Sequence, residues 1–312
     1  MIFEQLNSLG KKRVPFLFLS DFKAQNIDVF LLDELDKSDI EFSINENYCV
    51  KEHSYGFETS PIDFEEYKEK FESVIENIKA GETYLLNLTA PTPIKSSLTL
   101  KEIFSLANAH YKLRYKDEFV CFSPEKFVQI SQGQIHTFPM KGTIDASIEN
   151  AKEKILGNQK EMAEHIMVVD LLRNDLSIVA KNVRVKEFRY ITRIEAGDKE
   201  LLQVSSHISG VVGDDWHEKI GDILSSLLPA GSISGTPKKR TLELIEEIEG
   251  YERKYFSGVF GIYDGESFDS GVMIRFIQKE GHGYIYKSGG GITLDSSAQD
   301  EYKELLDKVY LP

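Results

Sequence analysis

Two pairs of glutamates stand three residues apart in the sequence: Glu161 and Glu164 in NQKEMAEHIMVVDLL, and Glu301 and Glu304 in DSSAQDEYKELLDKVY. That spacing puts both carboxylates of a pair on one face of a helix. If the two faces met, four acids would repel unless a hard cation lay between them. Mg2+ is such a cation, held by a few carboxylates, waters and an anionic substrate group. Taken singly, either pair reads as solvated helix surface.

A second candidate lies in CFSPEKFVQISQGQIHTFPMKGT, where Glu125 leads one strand and Lys141 ends a neighbouring one. A hairpin would bring both to the same rim. A lysine in a partly desolvated pocket loses basicity and becomes a nucleophile, and a nearby carboxylic acid can protonate a leaving hydroxyl. A third is the small-residue loop of LLPAGSISGTPKKRTLELIEEIE, which feeds a helix with Pro237 at its first position. Free backbone N–H groups at such a helix entry could hold a carboxylate. The triple glycine of SGGGITLDS matches neither a dinucleotide fingerprint nor a Walker loop, so it points to a close backbone approach or a tight turn. Arg275 in SGVMIRFIQ falls in an apolar strand, where a guanidinium calls for an anionic partner.

These residues sit in a 312-residue chain with 37 Lys and Arg against 51 Asp and Glu, a net charge of −14. That balance excludes a general nucleic-acid binder. The length suffices for a large core without metal or disulfide staples. The stretch Val14 to Leu19 is too short to span a bilayer and lacks a secretory cleavage pattern, so a cytoplasmic protein with no membrane partner is expected. Cys49 and Cys121 lie far apart and form no zinc or disulfide pattern.

The elements that must position the candidates are legible in part. A helix is predicted from about Asp63 to Ala80, capped by Asp63, with Phe64, Tyr67, Phe71, Val74, Ile75 and Ile78 on one stripe and Gly81 ending it. Residues 1–60 read as short strands and turns, a strand-rich first part of the same domain as 61–312. From Glu82 onward β-rich runs follow one another, with turns at Asp264-Gly265 and around Gly281. Strand after strand, without regular βαβ alternation, predicts an α+β protein built on large antiparallel sheets.

In order along the chain, SPEKF, PMKGT, EHIMVVDLLRNDL, PAGSISGTPKKRTLELI, FSGVFGIYDG, MIRF and GGGITLDSSAQDEYKE resemble the chorismate-utilising enzymes over residues 62–310. The resemblance implies two antiparallel sheets packed as a sandwich with helices outside. Within the family, the residue before Gly-Thr is Ala in anthranilate synthases and typically Lys in aminodeoxychorismate synthases, and this chain has Lys141. The implied activity is therefore amination of chorismate at C4 on the route to para-aminobenzoate and folate. The Lys141 amine would add at C2 while Glu125 protonates the departing C4 hydroxyl. By the same matching, Glu164 and Glu304 would ligate Mg2+ directly, with Glu161 and Glu301 acting through water or from behind the direct ligands. Thr143, Ser234, Gly235, Thr236, Arg275, Gly290, Gly291 and Lys308 would bind the substrate.

The sequence departs from its relatives at two places. Gln203 stands where many carry a histidine, with His207 four residues later, and Leu85 stands where water-adding relatives have a lysine base. The second weakens an isochorismate-type reading. No glutaminase motif is visible, so ammonia is expected from a separate glutamine amidotransferase subunit in a heterodimer. Anthranilate synthesis is the enzymatic alternative. A weakly active scaffold that binds the amidotransferase is the non-enzymatic one.

Overall fold

The computed structural model describes residues 2–45, 55–196, 199–281 and 283–311. Cys49 lies outside them. The chain opens with α1 (Ile2–Lys11), then β1 (Phe16–Ser20), β2 (Ile27–Leu31), β3 (Ile40–Ile44) and β4 (Phe57–Thr59). Next come α2 (Phe64–Lys79), β5 (Leu85–Ser96) and α3 (Leu100–Leu106). A run of strands follows: β6 (Tyr111–Tyr115), β7 (Phe119–Ser123), β8 (Lys126–Ser131), β9 (Gln134–Thr137) and β10 (Met140–Asp145). Two helices, α4 (Ala151–Gly157) and α5 (Gln159–Val179), precede the long β11 (Lys181–Ala196) and β12 (Lys199–Val211). The last part holds α6 (Ile220–Leu227), β13 (Gly235–Thr236), α7 (Lys238–Glu249), β14 (Val259–Tyr263), β15 (Phe268–Val272), β16 (Phe276–Glu280), β17 (Gly283–Ile292) and α8 (Ala298–Asp307).

One sheet runs β10-β12-β9-β8-β15-β14-β1-β2, with β11 also on β12; the other runs β13-β5-β17-β16-β7-β6-β3, with β4 on β5. The α+β expectation and the sandwich implied by the resemblance both hold. Strand β1 shows how the layers form: alternate side chains point to opposite faces. Phe16 and Phe18 join the core under α1 and α6 with Trp216, Ile220 and Leu224. Leu17 and Leu19 pack between the sheets with Tyr111, Leu113 and Phe260.

Helix α2 starts on Asp63, whose carboxylate accepts from the Glu66 N–H, and Gly81 beyond its end has φ +77°. The Asp264 turn also forms as expected, its carboxylate accepting from the Glu266 and Ser267 N–H groups. The first 60 residues differ from expectation in one respect: α1 is a helix, packed so closely that a Cβ on Gly10 would lie 1.9 Å from the His217 carbonyl oxygen. Strands β1, β3 and β4 make this segment part of both sheets.

Candidate active site

Helix α5 buries Glu164, His165, Val169, Leu172, Asp175 and Leu176 along one stripe, which turns Glu164 inward rather than to solvent. Helix α8 is held by Tyr302, whose ring lies 5.4 Å from both Phe64 and Tyr67, and by Ser288, whose hydroxyl donates to the Leu305 carbonyl. Its Glu301 is buried, and Ser296 donates to Glu301 Oε1 at 2.8 Å. A Cβ on Gly290 would lie 3.1 Å from Glu301 Oε2 and 3.4 Å from Glu304 Oε1, so both carboxylates lie against β17.

The two glutamate pairs lie near enough for the charges of one to act on the other. Burial pushes Glu161 above the ordinary carboxylate range, and the charges of Glu164 and Glu304 add to the rise. Glu301 is raised by burial, then by Glu304 and Glu164. Burial also acts on Glu304, but Lys308, Lys141 and Arg275 outweigh it and leave that acid below its usual range. Lys308 Nζ donates to Glu304 Oε1 at 2.5 Å and to the Gly289 carbonyl at 2.7 Å.

A cavity of about 90 Å3 opens beside these acids, lined among others by Leu85, Glu125, Lys126, Lys141, Glu164, Ser232 and Gly291. Glu125 and Lys141 thus reach one cavity, although not by the route expected. Strands β8 and β9 form the hairpin, while Lys141 lies beyond it on β10, which pairs with β12. The β10 register shifts between Met140 and Thr143. Gly142 in that bulge has φ +88°, and a Cβ there would lie 3.0 Å from Glu161 Oε2.

The expected loss of basicity at Lys141 is not what the structure gives. Burial does pull the amine down, but Glu164, Glu304 and Glu161 together reverse it and leave Lys141 above the ordinary lysine range. Its Nζ lies 2.8 Å from Glu164 Oε2. In this arrangement the amine is an ammonium ion.

Burial raises Glu125, opposed by Ser232, Lys308 and Arg275. Arg275 lies outside a regular strand, between β15 and β16, with φ +51°. It has no carboxylate at ion-pair distance among the described residues; its Nε donates to Tyr310 Oη at 3.3 Å and its guanidinium lies over that ring. The expected anionic partner is therefore not supplied by the described chain.

The loop candidates are placed differently. Ser234 is fully buried and its hydroxyl donates to the Ala230 carbonyl, while Gly235 and Thr236 pair with Leu86 and Leu85 of β5. Pro237 is the residue before α7 rather than its first residue. Thr143 is exposed opposite Gln203 and is not among the residues lining the cavity. His207 pairs with His136 at 3.0 Å and stacks on Phe138. Sequence reasoning missed Ser232 and the buried His165, whose Nε2 lies 2.7 Å from Ser206 Oγ.

The donor set suits a hard divalent ion, since the four acids offer only carboxylate oxygens and Glu161 Oε2 is buried with no hydrogen-bond partner. Among the described residues, no group of three or more His, Cys, Asp or Glu side chains is already assembled to hold a metal. The Lys141 and Lys308 amines stand on two of the four acids instead.

Two antiparallel sheets closing on a cavity lined by Lys141, the half-buried Glu125 and Glu164 define the class. The model of the chorismate binding enzyme family matches residues 31–311, and the chain belongs to that family. It is 47% identical over 313 residues to the uncharacterized PabA-like protein of Haemophilus influenzae, covering 99% of this chain and 95% of the relative. It is 29% identical over 276 residues to aminodeoxychorismate synthase component 1 of Bacillus subtilis, covering 84% of this chain and 57% of that one. Among solved structures, the menaquinone-specific isochorismate synthase MenF of Escherichia coli superposes with a TM-score of 0.73 over 98% of this chain and 79% of its own. At 15% identity that likeness concerns the fold alone. No helix among the described residues is long and apolar enough to cross a membrane.

Proposed function

We propose that this chain aminates chorismate at C4 to give 4-amino-4-deoxychorismate, with ammonia from a glutamine amidotransferase subunit. The observation that carries this reading is that Lys141 lines the same cavity as Glu125. An amine there can form a covalent bond that the alanine of an anthranilate synthase cannot.

Chorismate carries two carboxylates. The guanidinium of Arg275, without a carboxylate partner among the described residues, and the ammonium of Lys308 are the groups suited to receive one of them. Lys141 then gives one proton to solvent water, and the lone pair this frees on its nitrogen forms the bond to C2. The ring double bonds shift, the C4–O bond breaks, and protonated Glu125 gives its proton to the departing oxygen, which leaves as water. Ammonia next bonds at C4 and passes one proton to the Glu125 carboxylate, which restores the acid, while the electrons of the breaking C2–N bond return to Lys141 as its neutral amine. Glu164, Glu304, Glu161 and Glu301 are the residues that would hold Mg2+. Bound there, the ion would orient a substrate carboxylate, offset its charge and withdraw Glu164 from Lys141.

The test is intact-protein mass spectrometry after incubation with chorismate and Mg2+ without ammonia. The expected result is an adduct of chorismate less one water, mapped to Lys141 and missing in Lys141→Ala. An adduct that persists on Lys141→Ala removes the lysine from the mechanism.

A further inference from the structure

The cavity contains a polar contact that the mechanism above leaves unused. Ser232 sits in the turn Gly231–Ile233, and its Oγ donates to Glu125 Oε1 at 2.6 Å. Both residues line the cavity. The acid's backbone is fixed from two sides: its N–H donates to Ser123 Oγ at 3.0 Å, and its carbonyl accepts from the Val272 N–H at 3.0 Å. Its other carboxyl oxygen, Oε2, has no hydrogen-bond partner among the described residues.

The turn that carries Ser232 is itself pinned. Arg253 Nη1 donates to the Ile233 carbonyl at 3.0 Å, and the Asn87 N–H donates to the Ser234 carbonyl at 2.9 Å. On the preceding side, Lys238 ties the Leu227 carbonyl to Asp175 of α5. The backbone that carries the hydroxyl is thereby held on both sides.

We propose that Ser232 is the positioning residue of the general acid: by occupying Oε1 it leaves the transferable proton on Oε2, the oxygen free to meet the leaving hydroxyl. This rests on the reading of Glu125 as that acid. A hydrogen bond donated to a carboxylate favours its charged form, so Ser232 also limits how far burial raises Glu125. The other charges near Glu125 are Lys308, the residue that follows α8, and Arg275 between β15 and β16, with Lys126, Lys141 and Glu164 lining the same cavity. All of these remain in a Ser232 variant.

The experiment is the pH profile of chorismate consumption by the full chain with Mg2+ and free ammonia held constant at each pH. An acid must be protonated to act, so activity falls as pH rises through the pKa of Glu125. In Ser232→Ala this basic limb should move up by about one pH unit, and kcat near neutrality should fall about tenfold with KM for chorismate little changed. Ser232→Thr, which keeps a hydroxyl, should restore the wild-type limb. Ser232→Cys keeps the volume with a weak donor and should shift the limb in the same direction, which serves if the alanine variant does not fold. Profiles of the alanine or cysteine variant that overlay the wild type overturn the proposal. Glu125→Gln separates the two layers. Loss of the basic limb there upholds Glu125 as the acid whatever Ser232 does, and a limb that survives in Glu125→Gln overturns both.

Discussion

Lys141 is held as an ammonium by an acid that the proposed mechanism assigns to the metal, and this can be tested without substrate. The perturbation is Glu164→Gln, which keeps the shape and removes the charge 2.8 Å from Nζ. A hydrogen bond between charged groups contributes about 1.5–3 kcal/mol. At about 1.36 kcal/mol per pKa unit, the Lys141 pKa should fall by about one to two units. Glu304 and Glu161 still raise it, so the fall is partial. At pH 8.5 the neutral amine should then be roughly ten to a hundred times more abundant than in the wild type. Competitive acylation with an isotope-coded reagent, read by peptide mass spectrometry against the exposed Lys101, measures that fraction. Equal relative labelling of Lys141 in both proteins would refute the ion-pair argument.

Two predictions concern stability. Lys287 is buried, its Nζ donating to the Arg253 carbonyl and to Gln278 Oε1, and burial with the charge of Lys254 brings its pKa down to about 8. The unfolded amine keeps its proton to about 10.4, so between these values the unfolded chain binds more protons and stability should rise with pH. Urea unfolding should show the wild type gaining about 2 kcal/mol on Lys287→Met between pH 8 and 9.5, and a difference independent of pH contradicts this. Gly271→Ala places a Cβ 2.4 Å from the Tyr111 ring, which is buried and bonded to Asp269 at 2.7 Å. It should cost about 1–3 kcal/mol, and an unchanged melting temperature would show that the sheets yield there.

What could be read from the sequence was whatever local chemistry decides. Asp63 and Gly81 bound α2 because a cap and a left-handed residue act within one turn. The i, i+3 spacing of the glutamates placed each pair on one face, and the buried stripe of α5 explains which face. Helix α1 was missed although its apolar residues recur at helical spacing, because it is only ten residues long and carries Gly10 in its last turn, where the glycine lets the helix approach residue 217. The rise in Lys141 basicity was not legible, since it depends on three acids brought in by two distant helices. Ser232 was missed for a related reason. The small-residue loop was visible, but whether Ser232 or Ser234 faced the cavity is settled by β13 pairing with β5, which buries Ser234.

The direct test of the central claim is the product formed from chorismate, Mg2+ and ammonia by the purified chain. The expected product is 4-amino-4-deoxychorismate, converted to para-aminobenzoate when a separate lyase is added. Anthranilate appearing without that lyase, or chorismate left unconsumed at saturating ammonia, would contradict that claim.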